Sequence, residues 1–387
     1  MNRKSFISDY LKDIIPVAIE LETAEEFHVV GTGPAKFKVK LNRELPKREL
    51  MRSTSLALGE AYMRGDLELD KDLYEVLDLF LGELGKFKTD RWALHGLLHT
   101  SMGIRNQKKE VTSHYDIGND FYRLWLDETM SYSCGYFKQE TDTLFEAQVG
   151  KVDHILEKLC LKTDMTLLDI GCGWGFLLKR AVQHFGVKGV GITLSEEQYK
   201  KVSEEIKEEH LEDRMEVRLM DYRELEKSGF RFDRVVSVGM LEHVGRGNYE
   251  CFLENAASVL KPGGLFLLHY ISAQQEHPGD PWIRRYIFPG GVVPSLREMI
   301  ELLPEYGFYT LDVESLRRHY TKTLLCWRDN FLSHREEIAK EHGEKFTRMW
   351  ELYLASCAAA FHNGIIDLHQ ILMSKGINND LPMIRVV

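Results

Sequence analysis

Cysteine is scarce and unpatterned in this chain of 387 residues. The cysteines form no CxxC pair, share no metal-ligand spacing with histidines, and lack the density of a secreted disulfide framework. We therefore expect a reducing cytoplasm, with neither structural disulfides nor a bound metal. The six cysteines are Cys134, Cys160, Cys172, Cys251, Cys326 and Cys357.

Long apolar runs and a basic excess are also missing. No apolar run reaches the roughly 18 residues that a membrane span needs, so any contact with lipid is expected to be peripheral. Charged residues interrupt the N-terminal stretch MNRKSFISDYLKDIIPVAIELE, which argues against a signal peptide. A formal net charge of −10 argues against a nucleic-acid partner, which needs a basic surface.

The chain changes character along its length. Residues 1–85 mix short β-like runs with helical patterns, and residues 86–109 hold six Lys and Arg against one acid, interleaved with apolar residues. This basic segment is either a surface for anionic membranes or a solvated linker helix, and both interpretations stay open. From about residue 150, short apolar strands alternate with helical patterns, which predicts a parallel sheet covered on both faces. The strands are expected at 166–170, 188–193, 215–219, 233–238, 264–271, 308–313 and 368–375.

A glycine-rich turn follows the first of these strands. LLDIGCGWG joins an apolar strand ending near Asp169 to a helix, through Gly171, Cys172, Gly173 and Gly175. Such a turn lets backbone approach a ligand, and the N–H groups of the helix N-terminus favour an anion. The simpler alternative is a turn that serves only the packing of helix against strand.

The expected ligand of this turn is S-adenosylmethionine rather than NAD. The glycine spacing is GxGxG, and Thr193 occupies the position where a dinucleotide site has a ribose-binding acid. Asp169 suits the ammonium group of S-adenosylmethionine, and ligands bind at the carboxyl ends of such strands. The ribose and adenine are therefore expected near Thr193, Leu194, Gln198, Asp221, Tyr222 and Arg223.

Titratable residues follow two further strands. Glu242 and His243 come after the strand at 233–238, and His269 lies near the end of the next. These strand ends are where acid–base residues belong in this architecture. For His243 alone, a local hydrogen bond is the preferred interpretation.

Seven motifs occur along the chain: HYDIGNDFY, MSYSCGYF, LDIGCGWG, GITLSEEQ, SVGMLEHVG, YIFPGG and HYTKTLLCW. Together they resemble those of the cyclopropane-fatty-acid synthases and the related mycolic-acid-modifying enzymes. The resemblance covers about residues 110–387, and GEAYMRGDLE at 59–68 extends it more weakly towards the N-terminus. It implies a Rossmann-like class I methyltransferase domain over residues 106–387, with a seven-stranded, mostly parallel sheet. A small, mostly helical, lipid-associated domain is expected over residues 1–105.

The resemblance also implies a chemistry. The family transfers a methylene group from S-adenosylmethionine to a cis double bond in phospholipid acyl chains, through a carbocation deprotonated by bound bicarbonate. The residues that match its bicarbonate ligands are Cys134, Glu242, His269, Ile271 (through its backbone) and Tyr320. Its cofactor residues extend to Tyr132 and Ser133. Some accounts assign catalysis to a cysteine matching Cys357, but its alanine-rich context favours a structural role.

The implied setting is the inner face of a membrane. A cytoplasmic, peripheral homodimer is expected, with the YIFPGG loop and residues 86–109 as the membrane-facing mouth. Three alternatives stay open: an amine methyltransferase of the same fold, an enzyme that makes methyl-branched acyl chains, and a non-catalytic lipid-binding protein.

Overall fold

The N-terminal part of the chain forms a four-stranded sheet with three helices, in a computed structural model that describes residues 17–24, 26–83, 118–276 and 279–383. The strands pair in the order β2-β1-β3-β4. Helices hold more of these residues than strands do, as expected for this region. The elements are β1 (Ile19–Glu22), β2 (Phe27–Val30), β3 (Lys38–Leu41), α1 (Lys47–Arg52), α2 (Thr54–Arg64), β4 (Leu67–Leu69) and α3 (Leu73–Glu83).

The alternating part of the chain contributes the remaining described helices and strands. It begins with α4 (Asn119–Arg123) and α5 (Leu144–Lys158), and continues with β5 (Thr166–Ile170), α6 (Phe176–Phe185), β6 (Lys188–Thr193), α7 (Glu196–Glu208), β7 (Met215–Leu219) and β8 (Phe232–Val238). It ends with α8 (Tyr249–Val259), β9 (Leu260–Ser272), α9 (Pro281–Tyr286), α10 (Leu296–Leu302), β10 (Phe308–Ser315), α11 (Arg317–Ser333), α12 (Arg335–His342), α13 (Glu344–His362) and β11 (Asp367–Lys375).

These strands form one seven-stranded sheet in the order β10-β11-β9-β8-β5-β6-β7. The pairs from β9 to β7 are parallel, whereas β11 runs antiparallel to both β9 and β10. The expected seven-stranded, mostly parallel sheet is confirmed, and each of its strands lies at a predicted position. The sheet order reverses direction at β5, which brings the carboxyl ends of β5 and β8 together beside a crevice.

Apolar residues cover both faces of this sheet. Successive residues of a strand point to opposite faces, and Leu168 and Val235 accordingly join one buried cluster while Leu167 and Val236 join the other. Burial on both faces explains why the strands read as near-continuous apolar runs rather than as alternating ones. The polar residues that matter for function are therefore concentrated at the strand ends.

The chain divides into two units that are not continuous in sequence. The first unit contains the described residues up to 83, Gly279–Pro289 and Leu324–Ile365, and the second contains the rest of the described chain, including the whole seven-stranded sheet. Within the first unit, the Arg348 guanidinium donates hydrogen bonds to the Tyr62 and Leu67 carbonyls, and the Trp282 ring leaves no room for a side chain at Gly59. The expected domain boundary at 105/106 lies outside the described residues and stays a prediction.

No helix within the described ranges is long and apolar enough to cross a bilayer. The basic segment at 86–109, which the sequence suggested as a membrane contact, lies outside those ranges. Of the YIFPGG stretch, Tyr286 and Phe288 are engaged inside the first unit. The Tyr286 hydroxyl donates to Glu60, and the Phe288 ring packs edge-on against Tyr353.

Candidate active site

The glycine turn after β5 has the conformation that its sequence predicted. Gly171, Gly173 and Gly175 all have positive φ (84°, 55° and 79°), which residues with a side chain adopt only at a cost. A side chain at Gly171 would also press on Met240. The turn is held to the neighbouring strand by the Gly171 and Cys172 amides, which both donate to the Ile192 carbonyl. It leads directly into α6.

A cavity of about 160 Å³ lies beside this turn, at the carboxyl ends of β5, β6 and β8. Ten of the thirteen residues predicted for cofactor binding line it. Gly175, Asp221 and Arg223 do not: Gly175 is the N-cap of α6, and Asp221 and Arg223 form an ion pair. The ten are Tyr132, Ser133, Asp169, Gly171, Cys172, Gly173, Thr193, Leu194, Gln198 and Tyr222.

Polar groups at the β6 end of the cavity are held in place locally. The Thr193 hydroxyl donates to Gln198 Oε1 at 2.8 Å, and the Ser195 side chain caps α7 by accepting from the Gln198 amide. Asp221 accepts from the Arg223 amide through Oδ1, while its buried Oδ2 makes no hydrogen bond within the described chain. An unmatched buried acceptor fits the hydroxyl or amino donors of an adenosine.

Two opposite charges are buried in the wall of the cavity. Burial raises the pKa of Asp169 to about 7 against the opposing influence of Lys151, and burial lowers the pKa of Lys151 to about 8. The Lys151 ammonium donates to the Ser133 hydroxyl at 2.9 Å. Sequence reasoning missed Lys151. Its signal was a lysine on the apolar face of α5, at helical spacing from Ala147 and Ile155, both fully buried.

Aromatic rings make the wall around Tyr132 and Trp174. Tyr122 packs against both rings at centroid distances of 5.6 and 5.8 Å, and Trp125 meets Tyr132 at 5.3 Å. The Trp174 indole N–H donates to Asn119. Large fixed rings exclude water from this side of the cavity and offer their negative faces to a cation.

A second polar cluster, here called the acid–base cluster, comprises Glu242, His269, Ile271 and Gln370. The Ile271 amide donates to Glu242 Oε1 at 2.6 Å, and Gln370 Nε2 lies 3.2 Å from His269 Nδ1. Strand register explains the second contact. Ile271 lies two residues beyond His269 on β9, and Gln370 on β11 is paired directly with His269.

Burial dominates the electrostatics of this cluster. It raises the pKa of Glu242 to about 7, and it holds the pKa of His269 well below its usual value, so that His269 is neutral. Glu242 Oε2 and His269 Nε2 are both buried and make no hydrogen bond to any described residue. Orphaned polar atoms of this kind are costly unless a ligand or water satisfies them. A donor and a proton-sharing carboxyl would suit a small oxyanion such as bicarbonate.

The Cys134 thiol and the Tyr320 amide both contact the Leu316 carbonyl. The fully buried Cys134 thiol lies 3.2 Å from its neighbouring Gly135 carbonyl and 3.8 Å from the Leu316 carbonyl, which also accepts from the Tyr320 amide. The Leu316 amide in turn donates to Leu368, the β11 partner of Ile271. A chain of backbone contacts thus connects the two residues to the acid–base cluster. Burial raises the pKa of the Cys134 thiol, so it is not a ready nucleophile.

The two remaining titratable candidates, His243 and Cys357, lie in different places. His243 lines the cavity, unlike its neighbour Glu242, and burial lowers the pKa of this imidazole to about 4. Cys357 lies on α13 in the first unit, and burial raises the pKa of its thiol to about 12. A neutral imidazole in the cavity wall can donate or accept a hydrogen bond, whereas a thiol with so high a pKa is unreactive.

Comparison with known proteins identifies the relatives of this chain. A family model described as mycolic acid cyclopropane synthetase matches residues 103–371, and a domain model of unknown function matches residues 6–91. The "Probable fatty acid methyltransferase" of Pseudomonas putida is 41% identical over 340 residues, 85% of each chain. The cyclopropane-fatty-acyl-phospholipid synthase of Escherichia coli K12 is 38% identical over 380 residues, 95% of each chain.

A solved structure agrees with these matches. The cyclopropane synthase MmaA2 from Mycobacterium tuberculosis is 36% identical with a TM-score of 0.65, covering 69% of this chain and 98% of that chain. The sheet order, the glycine turn and the cavity beside it define an S-adenosylmethionine-dependent methyltransferase of class I. The chain belongs to the mycolic acid cyclopropane synthetase family, and the resemblance inferred from its motifs is confirmed.

Proposed function

We propose that this enzyme transfers a methylene group from S-adenosylmethionine to the cis double bond of unsaturated acyl chains in membrane phospholipids, giving cyclopropane acyl chains and S-adenosylhomocysteine. The observation that carries the proposal is the acid–base cluster, in which Glu242 Oε2 and His269 Nε2 are buried and make no hydrogen bond to any described residue. Methylation of an amine needs no such oxyanion site. The 38% identity to the Escherichia coli synthase along 95% of both chains supports the same substrate class.

The cavity residues would bind and align the methyl donor. S-adenosylmethionine, when bound, supplies an electrophilic sulfonium methyl group. An alkene is a weak nucleophile, so the cavity must fix the donor closely and in line. Asp169 and Gln198 offer acceptors in the lining of the cavity, and Asp221, next to the lining residue Tyr222, has a buried oxygen without a hydrogen-bond partner among the described residues. The rings of Tyr132 and Trp174 keep water away from the positive charge that develops on the acyl chain.

The acid–base cluster would handle the proton that ring closure releases. Bicarbonate, when bound, supplies the base. His269 is neutral, and a hydrogen on its orphaned Nε2 would make that atom a donor. Glu242 is anchored by the Ile271 amide, and with its pKa about 7 it can share a proton near neutral pH. Because the Ile271 N–H is engaged with Glu242, its part is to orient that carboxyl. Cys134 and Tyr320 complete the proposed set.

A direct product analysis tests this function. The purified protein is incubated with S-adenosylmethionine and vesicles of cis-unsaturated phospholipid, and the fatty acid methyl esters are analysed by mass spectrometry. We expect a product that gains CH₂ and resists mild hydrogenation, because a ring has replaced the double bond. A product that takes up hydrogen supports the methyl-branched alternative, to which the Pseudomonas putida relative's name is closer. No mass change on any lipid contradicts both.

The bicarbonate role has its own test. Removing dissolved carbonate by degassing under a CO₂-free atmosphere should lower turnover, and adding bicarbonate should restore it in the wild type. Binding of S-adenosylhomocysteine should not respond, because the cofactor cavity does not use the anion. Turnover that ignores bicarbonate contradicts the proposed role of the acid–base cluster while leaving the methyl transfer intact.

The cellular setting belongs to the same proposal. The enzyme would act as a homodimer at the cytoplasmic face of a membrane, binding the bilayer peripherally. The basic residues Lys86, Lys88, Arg91 and Lys108 are the proposed contacts. Charge reversal at these four positions should abolish sedimentation with anionic vesicles while leaving S-adenosylhomocysteine binding unchanged. Unchanged sedimentation contradicts the membrane contact.

A further inference from the structure

Lys151 is a buried cation that forms no ion pair with a carboxylate of the described residues. Its side chain on α5 is almost fully buried, and its ammonium makes one hydrogen bond, to the neutral Ser133 hydroxyl at 2.9 Å. Among the residues that the structure describes, no carboxylate forms an ion pair with it. Lys158, two turns later on the same helix, is buried to a similar extent but contacts both Asp312 and Glu314. Buried charges are ordinarily paired or hydrogen-bonded several times, as Arg234 is to three backbone carbonyls, so the single hydrogen bond of Lys151 needs explaining.

Lys151 is not needed to hold the segment around Ser133 that it contacts. Gln148, one turn earlier on α5, already holds that segment by donating to the Ser133 carbonyl at 2.8 Å, with the Ser131 carbonyl at 3.4 Å. A serine hydroxyl needs no buried ammonium as its donor. The contact with Ser133 therefore accounts for the direction of the lysine side chain, and the nearby carboxyls of Asp127 and Asp169 influence its charge without forming an ion pair with it.

The cavity presents a second buried charge of opposite sign. Asp169 and Lys151 both line it and influence each other's ionisation without forming a close ion pair, whereas Asp127, whose influence on Lys151 is larger, does not line the cavity. Two separated, opposite charges in one wall complement a ligand that carries an ammonium and a carboxylate on one carbon. That arrangement is the amino-acid end of S-adenosylmethionine.

We propose that Lys151 binds the carboxylate of the cofactor's amino-acid group, while Asp169 binds its ammonium. The inference rests on the proposed cofactor cavity and assigns a residue within it. It adds a side chain to the sequence-based expectation that the N–H groups at the N-terminus of α6 favour an anion. A charge-assisted hydrogen bond in a buried site is strong, which suits the retention of a cofactor that has to be held in line.

Two ligands separate this role from a merely structural one. S-adenosylhomocysteine carries the amino-acid group, and 5′-methylthioadenosine has the same adenosine and thioether without it. Calorimetry measures both dissociation constants for the wild type, Lys151→Met and the matched control Lys158→Met. Methionine keeps the length and apolar stem of lysine, so the cavity retains its shape.

We expect Lys151→Met to weaken S-adenosylhomocysteine by about 10- to 100-fold, the worth of a charged hydrogen bond, and to leave 5′-methylthioadenosine unchanged. Lys158→Met should change neither, because its partners lie outside the cavity lining. An equal loss for both ligands, or no loss for either, overturns the proposal. A wild type that binds neither ligand overturns the cofactor cavity itself, so the two failures are distinguishable.

Discussion

The cofactor cavity and the acid–base cluster each contain a buried carboxyl whose pKa is raised to about 7, and the two carboxyls differ in what surrounds them. Asp169 shares its cavity with the Lys151 ammonium, whereas Glu242 has only a backbone amide donor and an orphaned oxygen. The first setting favours a carboxylate that keeps its charge when a cationic ligand arrives. The second favours a carboxyl that shares a proton. The same raised pKa of about 7 therefore suits ligand binding at Asp169 and proton sharing at Glu242.

Among the substitutions that test this difference, we expect a change at Glu242 to lower turnover most. Glu242→Gln keeps the shape of the side chain and its contact with the Ile271 amide but removes the acidic group. We expect turnover to fall by about 10²- to 10⁴-fold, the usual contribution of a positioned acid–base residue. Product formation from vesicles, measured by mass spectrometry, checks the loss. Binding of S-adenosylhomocysteine should match the wild type, and a parallel loss of binding would mean that the two regions are not separate.

The pH dependence of the free energy of unfolding tests whether Glu242 is buried as a protonated carboxyl. The pKa of Glu242 rises from 4.5 to about 7 on folding, so the folded state prefers the protonated form. Its contribution to stability is complete below pH 4.5 and is lost as pH rises towards 7 and beyond. Each pKa unit corresponds to about 1.4 kcal/mol, so the loss is on the order of 3 kcal/mol. Urea unfolding from pH 4.5 to 8 should show this decline in the wild type and a smaller one in Glu242→Gln. Identical slopes would contradict the buried state of Glu242.

Gln370 tests whether His269 needs a defined tautomer. An amide N–H donated to His269 Nδ1 leaves the ring hydrogen on Nε2, the orphaned atom. Gln370→Met should lower the turnover number by about tenfold, within the range for a lost buried hydrogen bond, with little change in KM. Gln370→Glu should move the pH profile of turnover, because a carboxylate stabilises the charged imidazole. A profile that coincides with the wild type would make Gln370 only a packing residue.

The smallest effects are expected at two cysteines. Cys134→Ser should reduce turnover by a few-fold and weaken its response to added bicarbonate, because a hydroxyl replaces a buried thiol that contacts the Leu316 carbonyl. Cys357→Ser should leave both properties unchanged, because the thiol on α13 is unreactive. Steady-state turnover with and without bicarbonate measures both variants. A larger loss at Cys357 than at Cys134 would reverse the roles assigned here.

The two regions also differ in how far sequence alone revealed them. The cavity is built largely from contiguous motifs, so the turn after β5 and the residues after β6 could be recognised directly. Glu242 and His269 were visible because each lies at a strand end. Gln370 was not, because its contact with His269 depends on antiparallel pairing between β11 and β9, some 100 residues apart in sequence. Lys151 was hidden in a helix whose charged residues resemble a solvated face. Its burial depends on tertiary packing, which the helix sequence alone does not show.

The most direct test of the central claim uses S-adenosylmethionine carrying a fully deuterated methyl group. In the proposed mechanism, bicarbonate held by the acid–base cluster would take one proton from the transferred methyl before the ring closes. Mass spectrometry of the fatty acid methyl esters should then show products that retain two of the three deuterium atoms. Products that retain all three would contradict the account, because the methyl group would have been transferred whole and the acid–base cluster would have no proton to remove from it.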